Sequence, residues 1–303
     1  MKPLLFTLNG AAGLAEALAN GLGLEPGAFE TRQFPDGETY LRLLSAVAGR
    51  DVVLLCTLDH PDLRTLPLLF AAAAAKEQGA RSVGLIAPYL GYMRQDKAFQ
   101  PGEAVTSVSY ARLLSGAIDW LITVDPHLHR HPTLDAIYTA PSFAVTAAEP
   151  IAEWLRTHVL DPVLIGPDEE SAQWVGRIAE LAQARFTVLR KTRRGDRDVS
   201  IAGDGLDLPP GATPVIIDDI ASSARTMIEA VRLVHAAGHR PPVCVAVHPV
   251  FAGDSFERLQ AERPAEIVSS NSIAHPSNAI DVSGPIAAAV GLAMTAAAAG
   301  KER

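Results

Sequence analysis

Pro214-Val-Ile-Ile-Asp-Asp-Ile-Ala-Ser-Ser-Ala-Arg-Thr226 passes from an apolar run through two adjacent carboxylates into a hydroxyl-rich loop. Val215 to Ile217 suit the centre of a parallel sheet, and Met227 to Ala237 carry helical spacing that stops at Gly238. The loop therefore falls at a helix N-terminus, where backbone N–H groups lack intrahelical partners and the helix dipole favours an anion. Ser222, Ser223 and Thr226 add hydroxyl donors, while Asp218 and Asp219 offer acceptors to vicinal sugar hydroxyls. A phosphorylated ribose meets both demands. A strand closing in an Asp-rich helix cap has the same spacing, so spacing alone leaves both readings open.

Outward from this junction, strand-like runs alternate with helical spacing. Leu4 to Leu8, Val52 to Cys56, Ser82 to Ala87, Trp120 to Val124, Val163 to Ile165, Phe186 to Leu189, Val243 to Val247 and Glu266 to Ser269 read as strands. Leu66 to Gln78, Val105 to Ser115 and Ser171 to Ala184 read as helices, with Gly79 suited to a C-terminal cap. Such alternation predicts α/β architecture, mostly parallel sheets flanked by helices. A degenerate repeat is visible as well. Asp51-Val-Val-Leu-Leu, Ser82 to Pro88 and Leu121 to His127 form one series, and Pro214 to Asp218, Val243 to Pro249 and Glu266 to Ser270 form another. The reading is two tandem domains, residues 1–145 and 146–303, with the last helix, Pro285 to Ala299, packing on the domain surfaces or back on the first domain. The hydroxyl cluster occurs only in the second series; Thr57-Leu-Asp-His-Pro61 stands in its place in the first.

A chain of 303 residues suits two ordinary domains, each with its own core. A net charge of −8 argues against a general nucleic-acid surface. No run approaches the ~20 apolar residues of a membrane span, and the start, Met1-Lys-Pro-Leu-Leu-Phe, has no signal-peptide pattern, so a soluble, cytoplasmic protein is expected. Cys56 and Cys244 lie in apolar runs and read as buried hydrophobes.

Three polar segments follow strands in the first half, where open α/β sheets bind ligands. Phe34-Pro-Asp-Gly-Glu38 reads as an exposed hairpin tip; Pro88 to Lys97 ends in Arg94-Gln-Asp-Lys97, whose charges suit nucleotide phosphates. Val124-Asp-Pro-His-Leu-His129 closes a strand with a carboxylate and two imidazoles, too few for a closed zinc site but enough to assist a hard cation held mainly by phosphates and water, such as Mg²⁺. Lys191 to Asp198 holds four cations and reads as an exposed mobile loop.

Phe-Pro-Asp-Gly-Glu at Phe34, Tyr-Met-Arg-Gln-Asp-Lys at Tyr92, Pro-Gly-Glu-Ala-Val at Pro101, Asp-Pro-His-Leu-His at Asp125 and the Asp-Asp loop at Asp218 occur here in order. With these five segments the chain resembles the ribose-phosphate pyrophosphokinase family over nearly its whole length. The resemblance implies two phosphoribosyltransferase-like domains that move pyrophosphate from ATP to the 1-hydroxyl of ribose 5-phosphate, a step in nucleotide biosynthesis. It further implies that Arg94 and Gln95 contact ATP, while Phe34, Asp36 and Glu38 hold the adenine of an ATP in a neighbouring subunit, so that the chain self-associates as a dimer or a hexamer of dimers. His127 would bind Mg²⁺ or the transferred phosphates, and Asp168 the metal and ribose region. Lys191 and Arg193 would ride a flap over the ATP phosphates. Asp218 and Asp219 would bind the ribose hydroxyls, and Ser222, Ser223, Ala224 and Thr226 would cradle the 5-phosphate.

Two positions depart from the family pattern. Arg225 stands where the phosphate loop usually has glycine, and Glu169, Glu170 and Ser171 follow Asp168 where small glycines are usual. They keep two rivals in view, a non-catalytic regulatory homologue and a phosphoribosyltransferase. The latter would share the Asp-Asp loop but has no use for the Arg94 segment.

Overall fold

The computed structural model describes residues 1–128, 130–194, 198–202 and 206–300; across 190–202 the description is of backbone alone. The chain divides into two compact units, Met1–Thr146 with Val282–Arg303, and Ala147–Asp281.

In the first unit, β1 (Leu4–Thr7), β2 (Glu25–Pro26), β5 (Asp51–Leu55), β6 (Ser82–Ala87), β7 (Trp120–Val124) and β8 (Ser142–Val145) form one sheet in the order β2-β1-β5-β6-β7-β8. Every pairing in it is parallel. The β5, β6 and β7 strands are buried throughout, which is why their sequences are continuous apolar runs instead of alternating ones. Helices α1 (Ala12–Leu22), α2 (Pro61–Glu77) and α3 (Thr106–Ala117) supply the crossovers. Pro61 opens α2 at a position where its missing N–H costs nothing. Trp120 of β7 lies flat against Gly84 of β6; a Cβ at 84 would stand 1.9 Å from its indole ring. An antiparallel hairpin, β3 (Phe29–Gln33) with β4 (Thr39–Leu43), packs against α2 through β4 and buries Leu43 in the core, leaving its tip exposed. The C-terminal helix α8 (Ser283–Gly300) contacts β6, β7, β8 and α1, so its place is with the first unit and the second closes at Asp281.

The second unit repeats the plan. Its sheet runs β10-β9-β13-β14-β15-β16, with β9 (Pro162–Gly166), β10 (Arg185–Val188), β13 (Thr213–Ile220), β14 (Val243–His248), β15 (Glu266–Ser270) and β16 (Asn278–Ile280), again parallel throughout. Helices α4 (Ala148–His158), α5 (Ala172–Ala182), α6 (Arg225–Ala236) and α7 (Ser255–Ala261) cover it. Between β10 and β13 comes an antiparallel hairpin, β11 (Arg190–Arg194) with β12 (Asp198–Ala202), matching in order the β3–β4 hairpin of the first unit. The segment at Lys191, expected as a loop, therefore has a strand backbone; a run of cations has no apolar alternation by which sequence could reveal it. Residues 195–197 of that segment, and His129, lie outside the described residues. Cys56 and Cys244 are free and buried, and burial pushes both thiols up to about 12. Among the described residues no helix is long and apolar enough to cross a membrane.

Candidate active site

In a parallel sheet all strands end on one edge, and the loops leaving those ends gather the chemistry. In the second unit β9 and β13 are neighbours, so the loop at Asp168 and the pair Asp218–Asp219 emerge side by side. Asp168 caps a single 3₁₀ turn, Glu169–Ser171, accepting the Ser171 N–H at 3.2 Å, while the Ser171 hydroxyl donates to the Asp168 carbonyl at 2.6 Å. This turn is compact enough that a Cβ at Gly166 would lie 2.4 Å from the Ser171 Oγ. Thus the departure Glu169-Glu170-Ser171 is built as a tight turn packed on Gly166, two residues before Asp168. Asp218 is raised to about 8, first by burial and then by the neighbouring charges of Asp219 and Asp168. Its Oδ1 accepts the Asp219 N–H at 3.0 Å. Three carboxylates thus converge on one strand edge, and burial makes full ionisation of the pair costly.

Downstream, the hydroxyl loop sits where the sequence places it, between β13 and α6. Ala224 is in the left-handed region (φ 55°), turning the chain so that the amides of the first α6 turn face the loop. The segment after β14 and helix α7 brace it: the Ala252 N–H and the Ser255 hydroxyl both donate to the Ser222 carbonyl, at 3.0 and 2.8 Å, and Arg258 donates to the Ser223 carbonyl at 3.3 Å. Nothing in local sequence announces these supports, since they come from about thirty residues away. Arg225, the other departure, is the first residue of α6 and lines a cavity of about 290 Å³ between α6 and α7 with Arg232, Arg258 and Glu262. Its side chain thereby borders a groove shared with Arg258, which also braces the loop.

In the first unit β6 and β7 are neighbours, and the segments at Arg94 and His127 leave their adjacent ends. Tyr92 (φ 62°) and Asp125 (φ 33°), both left-handed without being glycine, bend these exits. Tyr92, Asp125, Ala224 and Phe251 make four such residues in the loops at the two sheet edges, and strain of this kind gathers where the chain is held for function. Phe34, Asp36 and Glu38 form the exposed tip of the β3–β4 hairpin, as expected. Gly37 turns there with φ 91°, and Asp36 accepts the Glu38 N–H at 3.2 Å. Arg32 lies over the rings of both Phe34 and Tyr40, at 4.6 and 4.4 Å, so the tip carries a stacked cation–aromatic platform of which only Phe34 was legible in sequence. A separate cavity of about 350 Å³, between α2 and α3 beside Tyr92 and Tyr110, is lined by none of the expected site residues. Lys191 and Arg193 lie on β11; their side chains are outside the described ones.

Residues 3–117 match the family described as the N-terminal domain of ribose phosphate pyrophosphokinase, and residues 133–278 match the phosphoribosyl transferase domain. The ribose-phosphate pyrophosphokinase of Methanopyrus kandleri is 33% identical over 279 residues, 91% of this chain and 94% of the relative. That of Saccharolobus solfataricus is 30% identical over 265 residues, 86% of this chain and 90% of the relative. The crystal structure of phosphoribosylpyrophosphate synthetase from Mycobacterium smegmatis aligns with a TM-score of 0.82 over 97% of this chain and 99% of that one; at 23% identity it establishes the shared fold of two tandem phosphoribosyltransferase-like units. On the strength of both halves and of relatives matched almost end to end, the chain is an enzyme that belongs to the ribose-phosphate pyrophosphokinase family.

Proposed function

We propose that this enzyme transfers the pyrophosphate of ATP to the 1-hydroxyl of ribose 5-phosphate, giving phosphoribosyl pyrophosphate and AMP. The observation that carries this is the half-buried Asp218–Asp219 pair leading into a braced, hydroxyl-rich loop at the N-terminus of α6, a combination suited to a sugar that bears a phosphate. Ser222, Ser223, Ala224 and Thr226 cradle the 5-phosphate. With Asp218 raised to about 8, the pair retains one proton at neutral pH, so it can donate to one ribose hydroxyl oxygen and accept from another. The ribose 1-oxygen attacks the β-phosphorus and gives up its proton to solvent, the bond from that phosphorus to the bridging oxygen of the α-phosphate breaks, and AMP leaves with that oxygen. Such a transfer has a loose, charge-spreading transition state and needs positioning and cations more than a covalent nucleophile. Arg94, Gln95 and His127 position the nucleotide, and Lys191 and Arg193 supply charge to its phosphates. Phe34, Asp36 and Glu38 contact the adenine in a neighbouring subunit, which makes the working form a dimer or larger.

Mg²⁺ fits the donors. Among the described residues no group of three or more His, Cys, Asp or Glu forms a ready metal cage, and a cation that keeps several waters and binds mainly through substrate phosphates needs none. His127 and Asp168 would each offer a ligand, and the crowded negative charge around Asp168, Asp218 and Asp219 favours a divalent cation nearby. Bound Mg²⁺ would neutralise phosphate charge. On this reading the enzyme works in the cytoplasm, serving nucleotide biosynthesis.

Phosphorus NMR of the purified protein with ATP, ribose 5-phosphate and Mg²⁺ tests this. AMP and an anomeric diphosphate signal appear together and only with ribose 5-phosphate present; omission of Mg²⁺ abolishes both. Pyrophosphate release that depends on an added base would instead identify a phosphoribosyltransferase, and nucleotide binding without turnover a regulatory homologue.

A further inference from the structure

Asp96 follows Arg94 and Gln95 directly, yet its carboxylate is fully shielded from solvent. Both of its oxygens accept from one nitrogen, Nη1 of Arg130, at 2.9 and 3.1 Å. Arg130 lies three residues beyond His127, on the loop that leaves the neighbouring strand. A second tie runs in parallel: the Ser107 N–H donates to the Gln95 carbonyl at 3.2 Å, and the buried Ser107 hydroxyl pairs with the Nε2 of His131 at 3.2 Å. The loops after β6 and β7 are irregular over 88–105 and over 125–128 and 130–133, and among the described residues no ladder holds them at a fixed spacing. The sheet sets only where they start. These side-chain ties link the loops beyond the strand ends.

We propose that Arg130, acting through Asp96, is a positioning residue that sets the spacing between the Arg94–Gln95 segment and His127. The inference rests on the reading of Arg94, Gln95 and His127 as nucleotide contacts. The oxygens of a carboxylate shielded from water need a hydrogen-bond partner inside the protein, and Arg130 supplies it to both, so Asp96 holds the loop to wherever Arg130 is. Only the carboxylate of this pair is buried, the Arg130 side chain being 46% exposed, so what the pair contributes is a fixed registry: the shielded Asp96 has to meet its partner on the neighbouring loop. The shift of an ångström in a catalytic loop is enough to lower turnover by orders of magnitude. Arg130 is itself anchored laterally, its guanidinium 5.8 Å from the Phe99 ring, with Lys97 at 5.0 Å from the same ring.

The test compares Arg130→Met, Arg130→Lys and the double variant Asp96→Leu/Arg130→Met in the full-length chain. Melting temperature, ATP affinity by calorimetry, and KM for each substrate are the readouts. Arg130→Met is expected to raise KM for ATP about tenfold or more, with KM for ribose 5-phosphate within about twofold of wild type. Arg130→Lys, which restores the cation without the guanidinium geometry, recovers part of the loss. The double variant leaves no unpaired buried charge, so it guards against simple misfolding; it is expected to melt near wild type and still show the ATP defect. A double variant that melts normally and keeps a wild-type KM for ATP overturns the proposal, because the pair is then only structural. A wild-type chain that binds no ATP overturns the functional reading and this role with it, whereas an active wild type with a normal Arg130→Met overturns the positioning role alone.

Discussion

Asp218 shows how a single residue acquires a property its sequence position cannot specify. An ordinary aspartate ionises near 3.8, but burial and the adjacent Asp219 and Asp168 carry this one to about 8. Between those values the folded chain keeps a proton that the unfolded chain has lost. Stability contributed by that proton is complete below about pH 4 and is lost progressively as pH rises toward about 8. Asp218→Asn keeps the shape and removes the titration. We expect the melting temperature of Asp218→Asn, relative to wild type, to climb by several degrees between pH 5 and about pH 8.5. A difference between the two proteins that stays constant with pH would reject this assignment of the proton.

The β6–β7 pair illustrates what a secondary-structure element demands. Ser82 to Ala87 was readable as a buried strand, but the glycine inside it was not explained by that reading. Its reason is cross-strand: Trp120, fully buried, occupies the space where a side chain at 84 would stand. Gly84→Ala is expected to cost about 1–3 kcal/mol through overpacking, lowering the thermal midpoint by several degrees while leaving KM for both substrates unchanged in the folded fraction. An unchanged midpoint would mean that the indole relocates at no cost. At the same scale, the two hairpins were the least legible elements. Phe34 to Glu38 was recognised by its turn residues, because Pro-Asp-Gly is a mechanism-bearing pattern. The cationic β11 has no apolar signature, and the alternation of Val199 and Ile201 in β12 is too short to announce a strand by itself, so the hairpin is decided by which segments lie opposite each other.

For the whole molecule, the proposed contribution of Phe34, Asp36 and Glu38 to a neighbour's nucleotide makes a complementation experiment decisive. Lys191→Ala should depress turnover much more than ribose 5-phosphate binding, and Phe34→Ala should weaken ATP in the partner's site. Mixed and re-associated, half of random dimers pair one chain of each kind, and each such dimer contains one site with both native groups. Recovery of roughly a quarter of wild-type activity is therefore expected from two weakly active parents. Activity that remains at the mean of the parents would show that each chain completes its own adenine site.

Much of this protein was determined by sequence alone. Continuous apolar runs dictated buried parallel strands, their alternation with helical spacing dictated α/β layers, and the matched series at Asp51 and Pro214 disclosed the duplication. The positions of the loop at Asp218 and of the segments at Arg94 and His127 were legible because each follows an apolar strand-like run, and in open α/β sheets the polar groups gather at strand ends. These are local demands, and local chemistry is written in local sequence. Only the tertiary structure decided the raised pKa of Asp218, the bracing of the hydroxyl-rich loop by Ser255 and Arg258, the tie from Asp96 to Arg130 and the attachment of α8 to the first unit. Each depends on groups distant in the chain meeting in a medium that excludes water, where charge and hydrogen-bond partners count most and periodicity carries no record of who meets whom.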